Sequence, residues 1–306
     1  MDWYSRLKLL ANNPRRIVSV YDFVAERLNS RINEHRTPPK GQNVMDADWD
    51  TLLLLDGCRY NLFESTCELS GSLSSVRSRG SFSEEFLSRN FTDKKYHDTV
   101  YVTANPYSDI IDSETFHYVV DVLNSDWDSE LGTVPPEVMR EKVQQAHEKY
   151  PEKRIIGHFM QPHYPFLGDT AQRLEQSGIN EQNSENANPD IWRQLQFRFD
   201  NVTSELVWKA YQETLEITLD TLTPWVTEIE GKVVLSSDHG NLIGEWIGPI
   251  PARGYGHPPS IFHDALLTVP WFELPYERRR TIKSDPPTDH EIHSTTAEQL
   301  SDLGYY

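Results

Sequence analysis

Residues 51–55 read Thr-Leu-Leu-Leu-Leu and stop abruptly at Asp56-Gly57. A strand with one wet face alternates polar and apolar residues, whereas an unbroken apolar run marks a strand covered on both faces, as in a parallel sheet sandwiched by helices. Five further segments carry strand character: residues 72–76, 99–103, 154–159, 232–236 and 265–269. Helical patterns fall between them near 59–68, 82–90, 136–149 and 190–228. This alternation predicts an α/β fold, a doubly wound, mostly parallel sheet flanked by helices, with residues 41–306 forming one domain.

The 306-residue chain is 37% hydrophobic, enough for a sizeable core. Its two cysteines, Cys58 and Cys67, make neither a CxxC metal knuckle nor a disulfide framework and read as free thiols. No apolar stretch approaches the roughly 20 residues of a membrane span, and no charged-then-apolar leader opens the chain. A cytoplasmic protein without a transmembrane segment is expected.

The charge balance is 29 basic against 47 acidic residues, net −18, which repels nucleic-acid phosphates and excludes nucleic acid as an expected partner. Only 10 of the 29 basic residues are Lys, and mean hydropathy is −0.61. Such an acid-rich, Lys-poor composition is expected of a halophilic protein; the alternative is an ordinary acidic cytosolic one. Residues 1–40 run the other way, with eight Lys/Arg and four Asp/Glu, leaving −22 on the remainder. There Trp3, Leu7, Leu10, Ile17, Val20, Tyr21, Val24 and Leu28 recur every three or four residues, which predicts an N-terminal helical arm broken at Pro14. A polar linker with Pro38, Pro39 and Gly41 follows it. The simpler expectation is that the arm packs on its own domain; the functional alternative is peripheral contact of residues 1–36 with a membrane surface or partner, through Arg6, Lys8, Arg15 and Arg16.

In open α/β sheets ligands sit beyond the carboxyl ends of the strands, so polar residues right after strand runs deserve inspection. Asp56 is such a residue, with a carboxylate free to bind a hard cation or to cap the next helix. Asp238-His239-Gly240, after the apolar run of KVVLSS, sets an oxygen and an imidazole donor side by side, a pair suited to Zn²⁺, Mn²⁺ or a similar ion. His163, in HFMQPHYPF, is held outward between Pro162 and Pro165, and His257 in GYGHPPS sits in a second Pro/Gly-fixed loop. In RSRGSFSEEFLSRNF, Ser81 and Glu84 have capping-box spacing ahead of a helix. A serine in its first turn has the helix dipole and backbone N–H groups behind it, a setting for an anionic ester. Arg77 and Arg79 just upstream add donors for sulfate or phosphate oxygens. Residues 168–189, rich in Asn, Gln, Glu and Ser, read as a surface excursion or lid.

Taken in order, these segments resemble the alkaline phosphatase superfamily, specifically a haloarchaeal-type version of its sulfatase-like hydrolase branch. LLLLDGCRYN is similar to the stretch carrying the first metal-binding Asp, SFSEEF to the nucleophile helix, and HFMQPHYPF to the family's histidine segment. VVLSSDHGNLIGE resembles the metal motif, GHPPSIFHDALLTVPW the stretch from a site histidine to the next strand, and TAEQLSDLGYY the common ending. The resemblance spans residues 50–306 and implies that Asp56, Asp238 and His239 hold one divalent metal ion, Ca, Mn or Zn. It implies Ser83 as nucleophile, with Ser81 the runner-up, because Phe82-Ser83 matches an aromatic–hydroxyl pair at that place. His163 and His257 would contact the ester oxygens or protonate the leaving group, as general acids of near-neutral pKa do.

Two departures narrow the reading. Ser75-Val-Arg-Ser-Arg79 lacks the proline of the C/S-x-P-x-R formylglycine motif, and Gln161-Pro-His163 stands where a second metal site would need a carboxylate. The expectation is a single-metal hydrolase of sulfate or phosphate esters on a small-molecule or glycan-type substrate, with Arg77, Arg79 and Ser81 binding the substrate. A transferase or mutase of the phospho group, and a degenerate member that binds an anionic ligand or partner without turnover, are the alternatives. The oligomeric state is left open.

Overall fold

The computed structural model describes residues 14–174 and 190–288. Its strands, in chain order, are β1 (Thr51–Leu55), β2 (Ser72–Arg77), β3 (Tyr96–Thr103), β4 (Phe116–Asp121), β5 (Arg154–Phe159), β6 (Val233–Ser236), β7 (Leu242–Ile247), β8 (Ala252–Gly256) and β9 (Thr268–Glu273). The helices are α1 (Pro14–Glu34), α2 (Tyr60–Thr66), α3 (Ser83–Phe91), α4 (Val122–Ser125), α5 (Pro136–Lys149), α6 (Ile191–Gln196), α7 (Ser204–Val226) and α8 (Asp264–Leu267).

Seven strands form one sheet in the order β2-β9-β6-β1-β5-β3-β4, parallel from β6 to β4, with β9 antiparallel to both β2 and β6. All five residues of β1 are buried because the sheet is covered on both faces. Leu53 and Leu55 face a core closed by α2, α5, α6 and α7, while Leu52 and Leu54 face a second core closed by Phe86, Leu87 and Phe91 of α3 with Trp49. The fold is therefore α/β, with a mostly parallel sheet between helical layers, as the unbroken run at 51–55 implied.

Several elements differ from the sequence expectation for identifiable reasons. The segment 265–269 is a single helical turn, α8, capped by the His263 side chain, and the strand begins only at Thr268. The long helical pattern of 190–228 is two helices, since Arg198 takes a left-handed conformation (φ 55°) after α6. β4 and the small β7–β8 sheet lie in segments where no strand was expected. Ser81 does not close a capping box with Glu84; its N–H and hydroxyl bond Glu85, one position later, at 3.0 and 3.1 Å. Residues 1–13 of the arm, most of the 168–189 excursion and the TAEQLSDLGYY ending lie outside the described residues. Cys58 and Cys67 are free thiols.

α1 starts at Pro14, where the pattern breaks and where proline suits a first helical turn. It packs on the domain against β8 and α6, but through its polar side. Asn29 bonds the Ile250 backbone in both directions at 2.8 Å, Asp22 accepts from the Arg253 N–H at 3.0 Å, and Glu26 pairs with Arg193 at 3.5 Å. Of the residues in the apolar period, Ile17, Tyr21, Val24 and Leu28 are exposed rather than packed on the domain.

Candidate active site

The carboxyl ends of β1, β5 and β6, three adjacent strands, deliver Asp56, His158 and Asp238 to one point. Just after β1, Gly57 turns with φ +66°, and a Cβ there would lie 2.7 Å from the Asn241 side chain. The missing side chain thus lets the chain turn tightly, and the Gly57 N–H donates to Asp238 Oδ1 at 3.0 Å, locking the β1 and β6 ends together. From the opposite side, the first residue of α3 projects Ser83 into the same point. Its hydroxyl lies 2.8 Å from Asp238 Oδ2, 3.1 Å from Asp56 Oδ2 and 3.3 Å from His239 Nε2. All four of these residues are fully buried.

His239 Nδ1 sits 2.8 Å from the Gly240 carbonyl, which fixes the ring proton there and presents Nε2 to both carboxylates at 3.5 Å. His158 is held in the same manner, its Nδ1 2.9 Å from the Tyr101 hydroxyl and its Nε2 3.8 and 3.7 Å from Asp56 and Asp238. Asp56 Oδ1 and His158 Nε2 are buried without a hydrogen-bond partner. Orphaned buried donors and acceptors of this kind are costly unless something else satisfies them. Two carboxylates, imidazole nitrogens and a hydroxyl within reach of one another form an N/O donor set that fits a divalent metal ion.

The electrostatics divide the acid pair. Burial, and then the neighbouring Asp238 charge, push the Asp56 carboxyl well above the usual carboxylate range. Burial acts on Asp238 as well, but His239, His158 and the Gly57 N–H outweigh it and hold this carboxyl far below that range. Two buried like charges in contact cannot both ionise without a cation.

His163 and His257 complete the cluster. Their Nε2 atoms are 2.7 Å apart, and the His257 ring centroid lies 4.8 Å from that of His239. Burial, followed by the charge of His239, lowers His163 to about 4; burial with His163 and His239 beside it lowers His257 well below its ordinary value. Neither ring has the near-neutral pKa expected of it. His257 is partly exposed and reaches a cavity of about 400 Å³ lined also by Phe82, Tyr107, Trp192, Arg27 and Arg31.

Asp56, Ser83, Asp238, His239, His163 and His257 are therefore brought together, whereas three other candidates are engaged elsewhere. Arg77 pairs at 2.9 Å with Asp264, whose side chain is 81% exposed. Ser81 is engaged by Glu85 and the Pro258 carbonyl. Arg79 contributes its carbonyl to Arg89. Two site residues had no role assigned from sequence. His158 stands in the quoted HFMQPHYPF segment at a strand end, a signal available beforehand. Asn105, which donates to Asp56 at 2.8 Å while capping the turn at Pro106–Ile110, carries no such mark.

No known family profile matches the chain, and no curated protein matches it by sequence. Solved structures do. The soluble domain of lipooligosaccharide phosphoethanolamine transferase A from Neisseria meningitidis is 13% identical, with a TM-score of 0.47 over 72% of this chain and 75% of that one. Against the whole integral membrane transferase the match covers 47% of that chain, so this chain spans about half its length. The C-terminal periplasmic domain of phosphoethanolamine transferase EptC from Campylobacter jejuni is 14% identical, TM-score 0.46, over 73% and 78% of the two chains. A protein of the alkaline phosphatase superfamily from Vibrio parahaemolyticus is 12% identical, TM-score 0.40, over 86% and 71%. The chain is similar to solved structures of that superfamily. No described helix is long and apolar enough to cross a membrane.

Proposed function

We propose that this protein is a metal-dependent hydrolase of phosphate or sulfate esters with Ser83 as nucleophile. The observation that carries the reading is the Ser83 hydroxyl, in the first turn of α3 and within 3.3 Å of Asp56, Asp238 and His239. Asp56, Asp238 and His239 would hold one divalent cation, with His158 beside them, and the cation would supply Lewis-acid polarisation of the ester oxygens. Ser83 Oγ attacks phosphorus or sulfur; the new Oγ bond forms as the bond to the leaving alcohol breaks. The serine proton leaves toward the Asp56–Asp238 carboxylate pair, whose oxygens lie 3.1 and 2.8 Å from Oγ. The leaving oxygen takes a proton from His257 Nε2, positioned by His163. Water then attacks the ester on Ser83 and gives one proton to His257 Nε2, while the Oγ bond breaks and the carboxylate pair returns its proton to Ser83 Oγ. An alcohol in place of that water would make the same site a transferase.

Zn²⁺, Mn²⁺ and Ca²⁺ are the candidate ions, and a small-molecule or glycan ester is the candidate substrate. The −18 charge with 10 Lys among 29 basic residues supports work in concentrated salt. The test is p-nitrophenol release from sulfate, phosphomonoester and phosphodiester substrates with each ion in turn, in high salt, with Asp238→Ala as control. Metal-dependent release that Asp238→Ala abolishes, with a substrate-derived mass on intact protein that Ser83→Ala lacks, supports the reading. Release that survives Asp238→Ala overturns it. Stoichiometric metal without turnover, in a panel that includes alcohol acceptors, would favour the anion-binding alternative.

A further inference from the structure

α1 is built inside out. The residues it turns toward the domain are Ser19, Asp22, Ala25, Glu26, Asn29, Ser30 and Asn33, each at most 8% exposed and all but Ala25 polar. Those it turns outward are Ile17, Val18, Tyr21, Val24, Leu28 and Ile32, each 38–56% exposed. A helix lying on a soluble domain shows the opposite polarity. The two-way bond between Asn29 and the Ile250 backbone, with Asp22 on the Arg253 N–H, prevents the helix from rolling its apolar side inward. Among the described residues nine large hydrophobic side chains are exposed, and six of them form this one stripe. It amounts to on the order of 500 Å², the size at which an apolar patch marks an interaction surface.

We propose that this face of α1 docks on an anionic lipid surface, with the helix lying in the plane of the interface. Charge selects the occupant. Asp22 and Glu26 are buried, so from Ile17 to Glu34 the exposed charges on α1 are Arg27 and Arg31, with Glu34 at the last position of the helix. Residues 1–40 carry net +4 in a chain of net −18. Lipid phosphates pair with such arginines while the acyl boundary takes Ile17, Val24 and Leu28, with Tyr21 at its edge, its hydroxyl held by the Pro251 carbonyl. A second copy fits less well. Stacking the stripe on itself brings four arginines, Arg27 and Arg31 of each copy, to one interface that holds at most the two Glu34 carboxylates at the helix ends. The stripe is also smaller than the roughly 800 Å² per partner of a stable interface. The proposal stands on α1 alone and does not depend on the reaction assigned above.

The test is co-sedimentation of the full chain with sucrose-loaded vesicles of phosphatidylglycerol and phosphatidylcholine at equal parts, and of phosphatidylcholine alone. Val24→Glu/Leu28→Glu alters only half-exposed outward positions, and its folding is checked by thermal melting; Ile17→Asn/Val18→Asn replaces it if it melts early. The expected result is binding to the anionic vesicles that the double variant weakens by about tenfold or more, with weaker binding to phosphatidylcholine. No binding to either vesicle, or equal binding by the variant, overturns the proposal. Equal binding to both vesicles overturns its anionic part. A dimer in sedimentation equilibrium that the double variant dissociates, without vesicle binding, assigns the face to a second copy instead.

Discussion

His163 and His257 face each other Nε2 to Nε2 at 2.7 Å. His163 Nδ1 lies 2.5 Å from the Tyr164 carbonyl, which holds the ring proton on that side. The proton between the rings therefore belongs to His257. With burial lowering His163 to about 4 and His257 also below its ordinary value, the pair is neutral at pH 7, and its one inter-ring N–H, on His257, is donated to His163 until a leaving oxygen takes the proton. His257→Ala should cost about 100-fold or more in kcat on alkyl esters, yet under about tenfold on p-nitrophenyl esters, whose leaving group needs no proton. His163→Ala/His257→Ala should be no worse than His257→Ala, because His163 acts through its partner. Steady-state kinetics on matched alkyl and aryl substrates checks both statements, and additive losses would show two independent roles.

Asp56 and Asp238 give opposite outcomes with and without metal. Asp56→Asn should weaken Mn²⁺ or Zn²⁺ binding by at least about 100-fold, measured by calorimetry. In chelator the same variant should be more stable than the parent at alkaline pH. The Asp56 carboxyl is raised by burial, then by Asp238, so its stabilising contribution is present at low pH and is lost as pH rises through its folded-state pKa. Asparagine cannot ionise and removes that loss. Melting curves in EDTA across pH would contradict this if parent and variant kept the same slope.

Much of this centre was legible because strand ends announce themselves. Thr51–Leu55 stops at Asp56, and Val233–Ser236 ends two residues before Asp238, so apolar runs followed by a ligand-type residue marked both. Ser83 was legible through its place in the first turn of a helix. Asn105 was not, because an Asn that caps a turn and an Asn that also reaches a carboxylate look alike in sequence, and only the β3–β5 pairing brings it beside Asp56. In α1 the period puts Ile17, Tyr21, Val24 and Leu28 on one face, and leaves what that face meets open between the domain and an outside surface. Periodicity reports which residues share a face and says nothing of what that face meets; here specific polar contacts to the 250–253 backbone decided the orientation.

Glu85 brackets the site from behind. One carboxylate oxygen takes the Ser81 N–H, the Ser81 hydroxyl and Arg89; the other takes the N–H and hydroxyl of Ser260, a residue at φ 57°. It thus ties the start of α3, with Phe82 and Ser83, to the loop that follows His257. Glu85→Ala should cost about 2 kcal/mol of stability by unpairing these buried groups. It should also lower kcat more than it raises KM, since Ser83 and His257 lose their relative placement. Glu85→Gln, which keeps one accepting oxygen, should fall between the two. Urea unfolding with parallel kinetics separates the effects: a stability loss with unchanged kcat would leave Glu85 with no role in positioning.

Glu26 places a pH dependence in the α1 contact. Burial, only partly offset by Arg193 at 3.5 Å, raises its pKa from 4.5 to about 7. The Gln196 amide at 3.5 Å, the Tyr255 backbone and Arg27 are its other neighbours, and none restores the ordinary value. Below pH 4.5 the group is protonated in both the folded and the unfolded chain. Between 4.5 and about 7 the folded chain holds the extra proton, so stability falls as pH rises, by up to about 3 kcal/mol, and levels off above. Glu26→Gln removes the titration. The variant should therefore match the parent near pH 4.5 and exceed it at pH 8 by most of that amount in urea unfolding. A parent stability that is flat between pH 5 and 8, or a variant weaker than the parent at pH 8, would mean that Arg193 holds the carboxylate ionised throughout.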